Sequence, residues 1–149
     1  MRKGDAMSDF NESLRNEAWS WLKQVQIIHL ATWDGEFPRV RPVSLIYTEG
    51  RFWVSTGSSD AKVSQIEDHP VFEFSLILEG EESKGSLRCS GSAGIIGDQE
   101  TRSRISRSIP FFGQFLDTPE DPSYCLIELV VVEGEYMRPK EMTAHRFSV

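Results

Sequence analysis

Two short turns in the first third of the chain restrict its fold more than any other feature of the sequence. An Asp-Gly dipeptide at 34–35 separates the apolar run 27–33 from the run 40–47, and a Glu-Gly dipeptide at 49–50 separates the second run from 52–56. Apolar runs that flank such two-residue turns are typical of β-hairpins. The sequence therefore predicts three consecutive antiparallel strands.

Further apolar runs extend the predicted β structure towards the C-terminus. Their positions are 71–78, 87–96 and 124–132, followed by a last strand around Tyr136 and Met137. The run 71–78 alternates apolar and polar residues, as in a half-buried strand. Gly91 and Gly94 in the next run predict a bulge or a close approach of another backbone.

Helical segments are predicted to flank these strands. Apolar residues at helical spacing predict an N-terminal helix over about residues 9–25, with Asp9 as its cap. A short helix is predicted over 61–68. Asp98 is positioned to cap a second outer helix, which ends near 109–110.

These elements define a single domain, residues 1–149, of mostly β structure. Six short, closely spaced strands with interposed helices predict a mostly antiparallel barrel, closed or partly open, with flanking helices. A doubly wound parallel sheet would require strands and helices to alternate regularly, and they do not. The glycine-rich motifs of dinucleotide and nucleoside-triphosphate sites are also missing from the sequence.

Composition and charge exclude several classes of partner. The net charge is −7 and the Lys and Arg residues are dispersed, so we expect no nucleic-acid surface. The sequence has no apolar run long enough to span a membrane and no signal-peptide core at its N-terminus. Its histidines lack the spacing of a helical metal site, and its two isolated cysteines suit a reducing compartment. We therefore expect a cytoplasmic protein without a protein-built metal site.

The segment 52–74 contains the best candidate for a binding site. An apolar run gives way there to the helix 61–68, so backbone N–H groups and the positive end of a helix dipole coincide. Five side chains near this junction suit an anion such as phosphate: Ser55, Thr56, Ser58, Ser59 and Lys62. Lys62 opposes the dipole, so a compensating negative charge is expected. A bound anion would supply it; alternatively Asp60 supplies it and the serines only cap the helix.

Other residues that could take part in catalysis or binding are predicted to have structural roles instead. His29 lies within an apolar strand and is predicted to be a core histidine. Arg102, Arg104 and Arg107 form a basic run that is predicted to be a solvated helix side. No side chain is assigned as a catalytic acid or base.

The sequence also predicts a second subunit. The strand 124–132 is almost wholly apolar and is expected to be buried on both faces. Together with the aromatic residues Phe111 and Phe112, it provides more apolar surface than one small barrel should expose. We therefore expect a homodimer.

Four segments, 31–47, 51–74, 86–100 and 111–137, resemble in order the elements of the pyridoxamine 5'-phosphate oxidase-like family of FMN-binding split barrels. That family includes small general-stress-type proteins. The resemblance implies a six-stranded antiparallel split barrel of Greek-key type. It also implies a homodimer that binds FMN in clefts between its subunits.

The resemblance further implies roles for individual residues. Those of the second strand that would run along the flavin are Arg41, Pro42, Val43 and Ser44. Ser55, Thr56 and Lys62 would hold the FMN phosphate, with Ser58 and Ser59 as neutral donors. Phe111 and Phe112 would approach the flavin from the other subunit.

By resemblance, the expected activity is an oxidoreductase that uses FMN with a small-molecule electron donor and acceptor. Vitamin-B6 synthesis is not expected, because His145 and Arg146 occur in the opposite order to the family's substrate-binding Arg-x-His. The phosphate turn also differs, since Asp60 and Ala61 stand where the oxidase has Ser and Arg. The alternatives are a non-enzymatic, stress-associated flavin-binding protein, or a split barrel that binds haem or a deazaflavin.

Overall fold

The computed structural model describes residues 3–149, with side chains from residue 6 onwards. Within this range one sheet contains seven antiparallel strands: β1 Val25–Trp33, β2 Pro38–Thr48, β3 Arg51–Gly57, β4 Val71–Glu79, β5 Lys84–Ile95, β6 Tyr124–Met137 and β7 His145–Ser148. The helices in the same range are α1 Lys3–Trp19, α2 Ala61–Asp68, α3 Gln99–Ser106 and α4 Phe112–Phe115. The predicted class, mostly β with flanking helices, is confirmed.

β3 closes the sheet into a barrel. The strand order is β3-β2-β1-β4-β5-β6-β7, and β3 also pairs with β6. Six strands therefore form a closed antiparallel barrel, while β7 pairs with the second half of β6. Because β4 lies beside β1 after the β1-β2-β3 meander, the order is that of a Greek key. The predicted six-stranded barrel is confirmed, and β7 is an addition that the sequence pattern does not predict.

β3 changes its pairing partner along its length. Its residues 51–53 pair with 46–48 of β2, whereas its residues 52–57 pair with 124–129 of β6. The first part of β2 and the end of β3 therefore separate. This separation splits the barrel wall between the two strands.

Helix α2 bridges the split. Lys62 bonds to Thr56 at the end of β3, and Gln65, one turn further along the helix, bonds to Arg41 of β2. Side chains three positions apart share a helix face, so one face of α2 joins the two separated strands. The predicted bounds of this helix, 61–68, are confirmed.

Apolar side chains fill the barrel interior and a second cluster outside it. The largest interior residues include Ile28, Leu30, Leu45, Phe52, Phe74, Leu87 and Tyr136. The outer cluster consists of Ile46, Trp53, Ile105, Ile109, Tyr124 and Leu126. Consecutive residues of β3 contribute to different clusters, so this strand is buried on both faces.

The prediction that 124–132 is buried on both faces holds only for its first part. Residues 124–127 are all buried, but Val130 is 48% exposed and Val132 is 53% exposed. Beyond Leu129, β6 no longer pairs with β3, so one of its faces opens to solvent. Tyr136 and Met137 are the end of this same strand, and the prediction of a separate last strand there is wrong.

The N-terminal helix has different bounds from those predicted. α1 spans Lys3–Trp19 rather than about 9–25, so Asp9 lies inside the helix and cannot cap it. Val25 begins β1, where it pairs with Ile46 of β2. The apolar spacing continues past Trp19 because the next residues also pack on the core, although the chain there is no longer helical.

Two other local predictions have mixed outcomes. β5 has a register shift between Ser90 and Gly91, and a Cβ at Gly91 would lie 1.9 Å from the Val130 carbonyl oxygen. The predicted close approach is thus confirmed at Gly91 but not at Gly94, where a Cβ would meet open space. Asp98 caps α3 by accepting a bond from the Thr101 amide.

No helix within residues 3–149 is both long enough and apolar enough to cross a membrane.

Arg102 is not part of a solvated helix side. Its guanidinium donates hydrogen bonds to the carbonyl oxygens of Pro119, Asp121 and Tyr124, at 3.3, 3.2 and 2.8 Å. It also lies 4.5 Å from the centre of the Tyr124 ring. Arg102 therefore attaches the loop before β6 to α3, and the prediction for this residue is wrong.

We expect Arg102→Ala to lower the free energy of unfolding by roughly 2 kcal/mol, because the loop's carbonyl oxygens lose a charged donor. Denaturant titration measures the change. Arg107→Ala on the exposed end of the same segment is the control and should change stability by less than about 0.5 kcal/mol. Equal effects of the two substitutions would contradict the role given to Arg102.

Candidate anion and cofactor site

The turn between β3 and α2 is held by its own hydrogen bonds. Asp60 has extended backbone geometry, with φ −67° and ψ 144°, and its carboxylate accepts a bond from the Lys62 amide at 3.1 Å. The Asp60 amide donates to the Gly57 carbonyl oxygen, and the Ser58 amide donates to the Ser123 carbonyl oxygen. These three N–H groups are therefore already bonded within the chain. A ligand at this turn would have to compete with the chain for these three amides.

Lys62 is buried at the start of α2, with 6% of its surface exposed. Its ammonium donates to Thr56 Oγ1 at 2.9 Å and lies 2.9 Å from a carboxylate oxygen of Asp60. The Lys62 hydrogen bond, with a smaller contribution from the charge of Arg41, lowers the pKa of Asp60. Asp60 thus supplies both the cap and the negative charge that a lysine in the first helical turn requires.

Arg41 points from β2 towards α2. Its guanidinium donates to the Leu30 carbonyl at 3.2 Å, to Thr32 Oγ1 at 2.8 Å and to Gln65 Oε1 at 2.8 Å. All three acceptors are uncharged. Desolvation lowers the pKa of Arg41, and the nearby charge of Asp60 opposes that shift.

Thr32 and Gln65 belong to this site, although the sequence gives little sign of it. Thr32 is 3% exposed, and its hydroxyl also donates to Gln65 Oε1 at 2.5 Å. Thr32 lies two residues after buried Leu30 and therefore shares its face of β1. Gln65 lies three residues after Lys62 and therefore shares its face of α2. Those two periodicities could identify the pair only once the register of β1 against α2 is known.

The structure therefore brings the two predicted cationic residues, Arg41 and Lys62, to one face of α2. With Asp60 they comprise two cations and one carboxylate, and hence one net positive charge. Hydroxyl groups of Thr32 and Thr56 adjoin them.

A cavity of about 390 Å³ lies at the end of β3, beside α4 and the residues that flank that helix. Its lining includes three of the predicted residues, Ser55, Thr56 and Phe111, together with Phe115, Leu116 and Ser123. The rings of Phe111 and Phe115 meet edge to face with centroids 6.2 Å apart. The cavity thus combines aromatic walls with a few hydroxyl groups.

The remaining predicted residues are more dispersed. Phe112 packs edge to face on Tyr124 in the outer cluster, 5.0 Å between centroids, and does not line the cavity. Ser58 donates to the Pro122 carbonyl at 3.0 Å, and Ser59 is exposed. Along β2, Pro42 is exposed and Ser44 is half-buried, while Val43 packs against the core, as strand alternation requires.

The prediction that His29 lies in the core is wrong. His29 is exposed, between buried Ile28 and Leu30, and pairs in register with Pro42 of β2 and Ser75 of β4. The apolar residues around His29 predict burial, but apolar Ile27 on the same face of β1 is itself exposed. The outer face of β1 is therefore apolar but not buried.

A family model described as pyridoxamine 5'-phosphate oxidase matches residues 14–138 of the chain. No curated protein sequence matches this chain. Solved structures with the same fold include a NimC/NimA family protein from Clostridium acetobutylicum, which is 20% identical with a TM-score of 0.73. That similarity covers 90% of this chain and 91% of the other.

Two further structures have comparable folds. General Stress Protein 26 from Bacillus anthracis is 19% identical over 91% of this chain and 98% of its own, with a TM-score of 0.70. A heme binding protein from Mycobacterium smegmatis is 13% identical over 84% of this chain and 53% of its own, with a TM-score of 0.69. At such identities the similarity establishes the fold alone.

Proposed function

The chain belongs to the pyridoxamine 5'-phosphate oxidase family, and from this premise we propose that it binds FMN and acts as an FMN-dependent oxidoreductase on a small-molecule substrate. The observation that carries the proposal is the buried ammonium of Lys62 on the same face of α2 from which Gln65 binds the guanidinium of Arg41. Lys and Arg side chains are almost never buried unless they are paired, and a phosphate group is an anion that both could bind. The cluster is positive in a chain whose net charge is −7.

The residues present fit an FMN phosphate and its ring system in different ways. Arg41 and Lys62 provide charge, and Thr56 and Ser55 provide hydroxyl groups at the end of β3. Ser59 lies in the same turn as an additional neutral donor, whereas the Ser58 hydroxyl already donates to the Pro122 carbonyl. The neighbouring cavity, about 390 Å³, falls in the range of small-molecule sites, roughly 300–1,000 Å³.

In the proposed mechanism FMN, when bound, supplies the electron-transfer chemistry. Arg41 and Lys62 would hold its phosphate, and residues 42–44 of β2 would contribute to the flavin site. Phe111 restricts water at the cavity wall, with Phe112 packed behind it on Tyr124. No side chain is assigned a proton-transfer role.

We further propose that the protein forms a homodimer through the outer face of the barrel. Exposed apolar side chains occupy neighbouring strands there: Ile27 and Trp33 on β1, Val40 on β2, and Val71 and Ile77 on β4. Because β1 pairs with both β2 and β4, these residues share one exposed face of the sheet, which we call the outer apolar face; His29 and Glu73 lie among them. Large apolar side chains grouped on one exposed face are typical of protein interfaces. A second copy of the chain is the occupant that family membership favours.

Haem is the competing cofactor, since a heme binding protein has a similar fold. The visible spectrum of the purified protein distinguishes the two, because flavins and haem absorb at different characteristic wavelengths. A haem spectrum would reject the FMN proposal. A deazaflavin would also be recognised by its own absorption.

We expect Lys62→Ala to weaken FMN binding by about 1–3 kcal/mol, because a charged hydrogen-bond donor to the phosphate is lost. Quenching of flavin fluorescence gives the dissociation constant. Lys84→Ala is the matched control: it removes an exposed lysine, 67% accessible, from a distant hairpin. If Lys62→Ala binds FMN as tightly as the control, Lys62 is not part of the phosphate site.

The enzymatic part of the proposal is tested by reduction of the bound flavin. We expect NADH or NADPH to bleach the flavin absorption under anaerobic conditions and an added acceptor to restore it. Free FMN at the same concentration is the control for uncatalysed reduction. A bound flavin that neither pyridine nucleotide nor small reductants can reduce would favour the alternative, a non-enzymatic flavin-binding protein.

Light scattering at micromolar concentration should give the mass of a dimer. We expect Ile77→Glu, which introduces a charge into the outer apolar face, to convert the protein to a monomer, because a buried unpaired carboxylate strongly opposes association. Met142→Glu, at a side chain 98% exposed elsewhere on the molecule, should leave the dimer intact. A monomeric wild-type protein would reject the proposed dimer.

A further inference from the structure

The ammonium of Lys62 already contacts two acceptor groups of the chain itself. An ammonium has three N–H donors. One is directed to Thr56 Oγ1, and the Asp60 carboxylate lies at the same 2.9 Å distance. Because Lys62 is only 6% exposed, a ligand can approach its ammonium from few directions. A phosphate oxygen must therefore share the ammonium with Asp60 or displace it.

Arg41 is committed in a similar way but to neutral groups. Its two terminal nitrogens already donate to Leu30, Thr32 and Gln65. None of these acceptors reduces its positive charge. The charge of Asp60, in contrast, acts on Arg41 as well as on Lys62. Asp60 therefore weakens the attraction of both cations for an anionic ligand.

The negative charge of Asp60 is not required for its structural role. Its carboxylate caps α2 by accepting a bond from the Lys62 amide. Asparagine and serine cap helices about as well as aspartate does. The difference between Asp60 and these residues is the charge, and the charge is directed at the ammonium of Lys62.

We propose that Asp60 is a specificity-determining residue that limits how strongly the site distinguishes a phosphorylated ligand from its unphosphorylated form. This inference rests on the proposed function, because the ligand pair concerned is FMN and riboflavin. Asp60 shares the Lys62 ammonium with the phosphate and repels a phosphate dianion. FMN then gains less over riboflavin from its phosphate than it would without the charge of Asp60.

The test compares FMN and riboflavin binding to the wild-type protein and to Asp60→Asn, which keeps a capping side chain and removes the charge. Fluorescence quenching gives both dissociation constants. We expect the ratio of the riboflavin constant to the FMN constant to rise about tenfold in the variant, an energy of about 1.4 kcal/mol. Riboflavin binding itself should stay unchanged.

Two controls accompany the comparison. Asp68→Asn removes a carboxylate from the opposite, exposed end of α2 and should leave the ratio unchanged. Asp60→Ser, also a good cap, should raise the ratio like Asp60→Asn and replaces it if that variant does not fold.

The possible outcomes separate this inference from the proposed function. An unchanged ratio in the Asp60 variants, with flavin still bound, would overturn the role of Asp60 and leave the FMN proposal standing. A lower ratio would also overturn it, since Asp60 would then be positioning Lys62 for the phosphate. No flavin binding by the wild-type protein would reject both.

Discussion

The separation of β2 from β3 is the feature on which the rest of the structure depends. β3 follows β6 towards its end because the two strands share six register positions and an apolar lining on both faces. The same pairing that closes the barrel therefore opens its wall beside β2. Backbone and side-chain polar groups at that opening require partners, and α2 supplies them through Lys62 and Gln65.

The candidate site is thus part of the architecture rather than an addition to its surface. Arg41 and Lys62 join strands to a helix, and burial of such charges is tolerated only with hydrogen-bond partners. Thr32, Thr56 and Gln65 provide neutral partners, and Asp60 provides the negative one. A substitution among these residues would affect folding and ligand binding together. Measurements of flavin binding therefore need variants that preserve the cap and the fold.

Family membership and local geometry contribute different parts of the functional proposal. Membership favours a flavin and a second subunit, and the geometry favours an anion near α2 and an aromatic ligand near Phe111. The two arguments meet at Thr56, which bonds to Lys62 and also lines the cavity. Asp60 distinguishes this chain from the pattern of the oxidase that the sequence resembles.

Features that depend on neighbouring residues are determined by the sequence alone. The hairpin turns, the bounds of α2 and the Asp98 cap follow from local dihedral and hydrogen-bond preferences. Features that depend on distant pairing required the tertiary structure. The sequence pattern predicts the wrong environments for His29 and Arg102, since a strand's register and a loop's path decide which side chains meet solvent. The same holds for Thr32 and Gln65, which become partners of Arg41 only when the barrel closes and α2 spans the split.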